Sequence, residues 1–450
     1  MGDSKIDMGM KPRVVRKVAL RLVPFLCLLY FVNYLDRVNI GFAGPNGLTD
    51  ELKMTETAFG LASGIFFIGY LLLEVPSNLA LHKFGARRWI ARIMITWGII
   101  ATATAFTPNG TVLHIFRFLL GVAEAGFFPG IIFYLTLWFP ASERAKIVSM
   151  FMVAIPISTG IGSTLSSVII SGADGLFGLS GWRLMFLFEG LPALVLAVAV
   201  WFYLTDRPTH AKWLNDDERE WLTTTLATEA AEREREHPWT LKRALTSGRM
   251  LALAFVYFGC TYGGYTLTFF LPTIVDGFKE DFGTNLSVIQ EGLVTSIPYL
   301  VGAVAMILWG RHADKKQERV WHVAAPLILG SIAIPIALYL GNPILVMLFV
   351  TITAVGHYSA LPNIWSLPSR FLTGAAAAGG IALINSLGNV SGFAAPYITG
   401  GLSDLTGSEK AGLWVAGACM LAAAVVTLAL GAAPRPATAP VGAQAEAPTD

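Results

Sequence analysis

The feature that most limits what this chain can become is a succession of apolar runs, each long enough to cross the hydrocarbon of a bilayer, for which about 20 residues suffice. They fall near 18–41, 57–80, 89–107, 111–138, 145–171, 183–204, 250–275, 287–310, 321–340, 343–366, 373–400 and 410–432, and are numbered here as spans one to twelve. With no water in the bilayer to satisfy free N–H and C=O groups, such runs fold as helices. Several carry proline or paired glycines, which membrane helices tolerate when neighbours re-satisfy the freed backbone. The totals agree: 54% of the 450 residues are hydrophobic and 14% charged, with a mean hydropathy of +0.60, too apolar for a soluble globular chain.

Basic residues sort the connections into two kinds. Those on the side of the N-terminus hold 26 Lys and Arg, whereas the opposite side has Lys53, Arg183, Lys279 and Lys410. The two are called the basic side and the opposite side below. The alternation supports an even number of spans and predicts that both termini are cytoplasmic. The first run is too long for a signal-peptide core and lacks a small-residue cleavage site, so it is expected to remain as span one.

The longest connection divides six spans from six. The predicted organisation is a cytoplasmic segment 1–17, a six-helix bundle 18–204, a cytoplasmic linker 205–249, a second six-helix bundle 250–432 and a disordered cytoplasmic tail 433–450. Within the linker, Asp206-Arg207-Pro208 stops span six, and Asn215 can cap a short amphipathic helix through Trp221, Leu222 and Leu226. The run from Glu232 to Glu236 reads as a solvated face.

Several chemistries are not expected. Cys27, Cys260 and Cys419 lie in apolar runs and read as small hydrophobes, not as a disulfide framework or a metal site. His114 and His357 lack metal-ligand spacing, and no Walker-type loop occurs. Without a nucleophile–base pair or an ATP site, an enzyme is disfavoured and any driving force is expected from a gradient. Nothing suggests nucleic acid as a partner.

Two bases lie inside spans, Arg37 and Arg117. Span one places Asp36 beside Arg37, where each charge costs about 2.5–3.5 kcal/mol even on the mildest scale. Intramembrane charges usually face the bundle interior and mark a substrate or ion pathway; the alternative is a helix-end pair reaching for the interface. In span four, Arg117 and Glu124 are two turns apart on one face, about 10 Å along the axis. Arg117 and Asp36 lie at similar depth and can meet, while Glu124 sits nearer the middle.

The halves also look related. Asn78-Leu79-Ala80-Leu81-His82-Lys83-Phe84-Gly85-Ala86-Arg87-Arg88 follows span two, and Gly310-Arg311-His312-Ala313-Asp314-Lys315-Lys316-Gln317-Glu318-Arg319 follows span eight. Span four ends in Trp138-Phe139-Pro140 before Arg144, span ten in Trp365-Ser366-Leu367-Pro368 before Arg370. Such a repeat suggests two bundles rocking about a central site.

Six plus six spans with these basic turns resemble the major facilitator superfamily. Asn33-Tyr34-Leu35-Asp36-Arg37-Val38-Asn39-Ile40-Gly41-Phe42-Ala43, Glu74-Val75-Pro76-Ser77-Asn78, Gly181-Trp182-Arg183, Phe188-Glu189-Gly190-Leu191-Pro192, Asp206-Arg207-Pro208 and Gly380-Ile381-Ala382-Leu383-Ile384-Asn385-Ser386-Leu387-Gly388-Asn389 are similar to its anion:cation symporter family, near bacterial permeases for tartrate, phthalate and 4-hydroxyphenylacetate. The resemblance covers nearly the whole chain apart from its ends and part of the linker. It implies an all-α membrane protein of two six-helix bundles in a bacterial inner membrane, monomeric, importing a small organic anion with protons by alternating access. The coupling ion is a proton, no cofactor is implied, and the alternative is an exchanger or effluxer of the same fold. The sequence departs from the superfamily pattern at His82, where the first turn has an acid, and at Gln317, where the second has glycine.

By this resemblance Asp36 and Glu124 are proton sites and Arg37 anchors the anion. The chemistry is consistent: burial disfavours a charged carboxyl and a nearby guanidinium favours it, so an acid between the two titrates as its partner moves. Arginine stays charged and grips a carboxylate with a two-pronged fork. The expected rule is that Asp36 and Glu124 neutralise Arg37 and Arg117 in the empty site, and protonation frees the arginines for an anion; the alternative is a static ion-pair network.

Tyr34 and Tyr70 line a cavity by resemblance or serve as packing. Asn385 and Asn389, at i and i+4, bind substrate or join helices. Tyr262, Tyr265 and Trp365 are candidates for an aromatic wall. For Glu74 and Glu189 structural pairing is favoured. The small residues of 160–167 and 388–401 read as close helix packing.

Overall fold

The computed structural model describes residues 3–235, 247–367 and 375–432 and is helical at every predicted span. Arg370, Glu236 and the tail 433–450 lie outside the described residues, as do the side chains of His82 and of 232–235. Spans one to three are Asp3–Val38, Glu56–Phe84 and Ala86–Thr104. Span four is Gly110–Glu124 continued by Phe127–Thr136, span five Ala141–Met152 continued by Ala154–Ala173, and span six Gly181–Tyr203. Spans seven to twelve are Gly248–Asp276, Val288–Lys316, Val320–Ala337, Pro343–Ile364, Ala375–Thr406 and Lys410–Ala432. Among the described residues, ten helical segments are long and apolar enough to cross a membrane. Span three is not among them, because Arg87, Arg88 and Arg92 crowd its first two turns.

Helices that start on the opposite side, where basic residues are scarce, satisfy their first N–H groups with local side chains. Thr55 accepts from Ala58 N, Asn109 from Val112 N, Asn342 from Ile344 N, and Ser287 forms a reciprocal capping box with Gln290. Proline is accommodated inside many of these helices, Pro76, Pro192, Pro272 and Pro396 among them.

The family-like motifs turn out to be clamps. Asp206 accepts from Arg87 N at 2.8 Å, closing the start of the linker over the turn at Gly85, whose φ of +88° suits glycine. Glu51 accepts from Ser180 Oγ, Trp182 Nε1 and Arg183 Nε, tying the first connection to the start of span six. Asn215 caps the linker helix Asp216–Arg235 as expected: Glu218 N donates to its Oδ1 at 2.8 Å, and Leu222 is fully buried. Gln317 takes φ +53°, the left-handed turn at the position where the family pattern has glycine.

The two bundles meet along spans two and eleven and along spans five and eight. On the opposite side their backbones approach as closely as glycine permits. A Cβ on Gly60 would lie 2.3 Å from Pro396 O, one on Gly400 2.1 Å from Glu56 O, and one on Gly292 2.2 Å from Ser167 Oγ. Asp404 at the end of span eleven completes this seal by accepting from Glu56 N at 3.1 Å and Thr57 N at 2.8 Å. The small residues of both stretches therefore pack helices, as their sequence suggests.

Candidate functional site

Span four is not continuous. Ala125 leaves the helical region with ψ 128° and Gly126 adopts φ +86°, so the helix ends at Glu124 and restarts at Phe127. Glycine is needed twice over at 126, because a Cβ there would also lie 2.3 Å from Ser77 Oγ. A helix broken inside the membrane is tolerated where it is buried in protein or lines a cavity. Here the break leaves Glu124 as the last residue of its half-helix.

Glu124 faces Arg37. Arg37 Nη2 donates to Glu124 Oε2 at 2.9 Å, both side chains being almost wholly buried. The other oxygen, Oε1, has no hydrogen-bond partner among the described residues. Three rings surround the guanidinium, Tyr34, Phe66 and Tyr70, with centroids at 5.7, 5.0 and 5.3 Å. Their faces are the one apolar surface that attracts a cation while excluding water.

Asp36 points elsewhere. Its Oδ2 accepts from Trp97 Nε1 of span three at 2.8 Å, and its Oδ1 has no partner among the described residues. Arg117 spends its guanidinium on backbone carbonyls: Nε donates to Ala62 O at 3.2 Å, Nη1 to Asp36 O at 3.4 Å and Nη2 to Arg37 O at 2.9 Å. Asp36 and Arg117 thus meet as their depths suggest, but through the main chain. Arg117 pins spans one and two to span four and forms no ion pair with Glu124 among the described residues.

A cavity lies between the bundles. Tyr30, Tyr34, Arg37, Tyr70 and Phe128 line it from the first half, and Tyr257, Thr261, Gly264, Tyr265, Thr268, His357, Asn385 and Asn389 from the second. Of the candidates named from sequence, Arg37, Tyr34, Tyr70, Asn385 and Asn389 come together here, with Glu124 directly behind Arg37. Asp36, Arg117 and Trp365 are not on its wall. Trp365 backs it by packing on Tyr257, centroids 4.8 Å apart. Tyr262 is turned into the helix packing, 1% exposed.

Sequence reasoning passed over His357, which stands on the wall. Its Nδ1 donates to Cys260 O at 2.9 Å, which leaves Nε2 as the acceptor of a neutral ring. Gly264 makes room for that ring, since a Cβ there would lie 2.5 Å from Nε2. Alone on its helix, His357 gave no spacing signal. Glu189 is satisfied by neutral donors, Ser166 Oγ at 2.7 Å and Asn39 Nδ2 at 3.1 Å, which matches the structural pairing expected of it.

Comparison with known proteins agrees with this architecture. Residues 26–396 match the sequence profile described as the Major Facilitator Superfamily. A protein of Agrobacterium vitis named "Putative tartrate transporter" is 47% identical over 94% of this chain and 96% of its own. The "Quinolone resistance transporter" of Acinetobacter baumannii is 39% identical over 93% and 95%. Among solved structures, the xylose transporter XylE from E. coli in a partially occluded inward open conformation aligns with a TM-score of 0.67, covering 91% of this chain and 99% of that one at 18% identity. Two six-helix sets around a buried, charged cavity, read with a family match spanning most of the chain, lead to one conclusion: this membrane protein belongs to the major facilitator superfamily.

Proposed function

We propose that the chain is a proton-coupled symporter of the anion:cation symporter type, importing a small organic anion by alternating access across a bacterial inner membrane, with both termini cytoplasmic. The substrate is a hydroxy-dicarboxylate such as tartrate, or an aromatic carboxylate; the name carried by the Agrobacterium vitis relative supports the former. The observation that carries the reading is the Arg37–Glu124 pair: the cavity's guanidinium is held by a carboxylate of the protein itself.

Protonating Glu124 removes its charge and leaves the fork of Arg37 open to an incoming carboxylate. Proton and anion then each improve the other's binding, as symport requires. Asp36, with one oxygen on Trp97 and the other unpartnered among the described residues, is the second proton site. Arg117, named from sequence as a substrate ligand, serves this scheme by fixing the backbone of Asp36 and Arg37. Tyr34, Tyr70, Asn385 and Asn389 complete the binding wall, with Trp365 behind it. The seal described above suits a carrier closed on the opposite side. Both bundles of one chain enclose the cavity, so a monomer suffices.

The test is uptake by the purified protein in liposomes, with and without an inward proton gradient, across labelled tartrate, phthalate, 4-hydroxyphenylacetate and a sugar acid. One anion is expected to accumulate only with the gradient, and Glu124→Gln or Asp36→Asn to abolish accumulation while sparing exchange. The second reading, an exchanger or effluxer, has the name of the Acinetobacter baumannii relative in its favour. Exchange without accumulation by the unaltered protein decides for it.

A further inference from the structure

Glu74 has no part in that scheme, yet it reaches from one bundle to the other. It sits on span two, one turn beyond Tyr70 and about 27 Å along the helix from Glu56. It is 5% exposed. Its Oε1 accepts from Asn385 Nδ2 at 2.6 Å and its Oε2 from Ser386 Oγ at 3.3 Å. The charged or titratable groups facing it are Arg37 of span one, Tyr70 of its own helix and Tyr257 of span seven. Among the described residues none of these is its hydrogen-bond partner.

An amide N–H and a hydroxyl converging on the two oxygens of one carboxylate make a carboxylate-binding pair without charge. Asn385 also lines the cavity. The empty site therefore holds two carboxylates of its own: Glu124 on a guanidinium of the first bundle, and Glu74 on the neutral donor pair of the second. We propose that these two side chains stand in for the two carboxylates of the substrate. A dicarboxylate displaces Glu124 from Arg37 with one end and Glu74 from Asn385 and Ser386 with the other. The inference rests on the symport reading and names the substrate class within it.

Two consequences follow from burial. A carboxylate deprived of its donors inside the membrane is costly, so Glu74 takes up a proton as it is displaced. Each substrate carboxylate that displaces one of these side chains is then matched by one proton, on Glu124 for the first and on Glu74 for the second, counted apart from the proton on Asp36. The second consequence is mechanical. Glu74 ties span two to span eleven, so a monocarboxylate that fills Arg37 alone leaves the tie in place, whereas a dicarboxylate releases it.

The test measures protons taken up per anion bound, by calorimetry of the purified full-length protein in buffers of different ionisation enthalpy. Two matched pairs serve as probes: tartrate with threonate, in which one carboxylate is replaced by a hydroxymethyl group, and phthalate with benzoate. The unaltered protein is expected to bind one dicarboxylate at least about tenfold more tightly than its partner and with one more proton. Glu74→Gln is expected to lose that extra proton and leave the monocarboxylate unchanged. A Glu74→Gln protein that keeps the extra proton, or equal binding within both pairs by the unaltered protein, overturns the proposal, as does a failure of both dicarboxylates to bind. The symport reading fails differently: the unaltered protein then binds anions with no proton at all.

Discussion

The two halves of this molecule share a plan and divide the chemistry. Within the spans of the first half, Asp36, Arg37, Glu74, Arg117, Glu124 and Glu189 are all buried. Among the described residues the second half buries no Asp, Glu, Lys or Arg; its interior polar groups are Thr, Ser, Asn and the two histidines His322 and His357. Buried charge belongs to one bundle, and neutral hydrogen-bonding groups belong to the other. The difference teaches that a repeated helical plan does not dictate a repeated role. A charged residue in hydrocarbon is retained where it works, and the second bundle works without one.

The strongest way to break this division is at Arg37. Arg37→Ala leaves Glu124 buried and unpaired, and transport of any anion, by uptake or exchange, is expected to vanish. Arg37→Lys keeps the charge but loses the fork and should still fall by at least about tenfold. If Arg37→Lys transports normally, the guanidinium is not the anchor. Arg117 sharpens the same point from the other side. Its charge meets only main-chain carbonyls among the described residues, so Arg117→Met, which strands those carbonyls, is expected to lower stability by about 1–3 kcal/mol, read as a reduced melting temperature in detergent. In whatever protein survives, the affinity for anion should be little altered. A large loss of affinity with unchanged stability would return Arg117 to the anion site.

Much of this was legible in the chain itself. Twelve apolar runs and the one-sided distribution of Lys and Arg are period and charge signals, which need no tertiary information, and every run has its helix among the described residues. The conjunction of Asp36 and Arg37 in span one, and of Glu124 in span four, was legible because charge in hydrocarbon is conspicuous. What could not be read was direction. Asp36 and Arg37 are neighbours in sequence and therefore point about 100° apart on a helix, one to Trp97 and the other to Glu124. Arg117 and Glu124 lie two turns apart in the unbroken half-helix Gly110–Glu124, yet one turns to main-chain carbonyls and the other to Arg37, and Gly126 breaks span four just beyond them. A glycine in an apolar run signals close packing and a break equally well, so the sequence left that choice open. Glu74 was visible as a charge, but its partners Asn385 and Ser386 lie more than 300 residues away, and no periodicity reports such a contact.

The seal between the halves offers the next test. Gly60→Ala places a methyl group 2.3 Å from the carbonyl oxygen of Pro396, and backbone cannot turn aside as a side chain can. Overpacking of this kind costs about 1–3 kcal/mol, here charged to the state closed on the opposite side. The variant is expected to sit more often open to that side, read as faster labelling of a cysteine introduced at Ser403, with Cys27, Cys260 and Cys419 replaced by alanine. Unchanged labelling would mean that the seal does not depend on this contact. A smaller effect belongs to His357 in the second half. With Nδ1 committed to Cys260 O, Nε2 can accept from a substrate hydroxyl, a bond worth about 0.5–1.5 kcal/mol. His357→Ala should raise KM for a hydroxy acid by up to about tenfold and leave the proton count per anion unchanged. A changed proton count would contradict the division between the halves.

The smallest effect expected is one of pH on that same seal. Asp404 accepts from the hydroxyl and amide of Thr57 and from the amide of Glu56, bonds that its carboxylate makes as an acceptor. Their contribution to the closed state is present while the carboxylate is charged and is lost as pH falls and it protonates. Solvent exposure of a pH-insensitive fluorophore, attached beforehand at neutral pH to the cysteine placed at Ser403, should therefore rise as pH is taken down through and below about 4, and no more than a few-fold, because the carboxylate is exposed to solvent. Asp404→Asn should flatten that profile and sit at the acid level throughout. If the profile survives in Asp404→Asn, the pH dependence arises from other groups. The first half's buried carboxyls are then the next to examine, since the neutral second half offers no acid within its described interior.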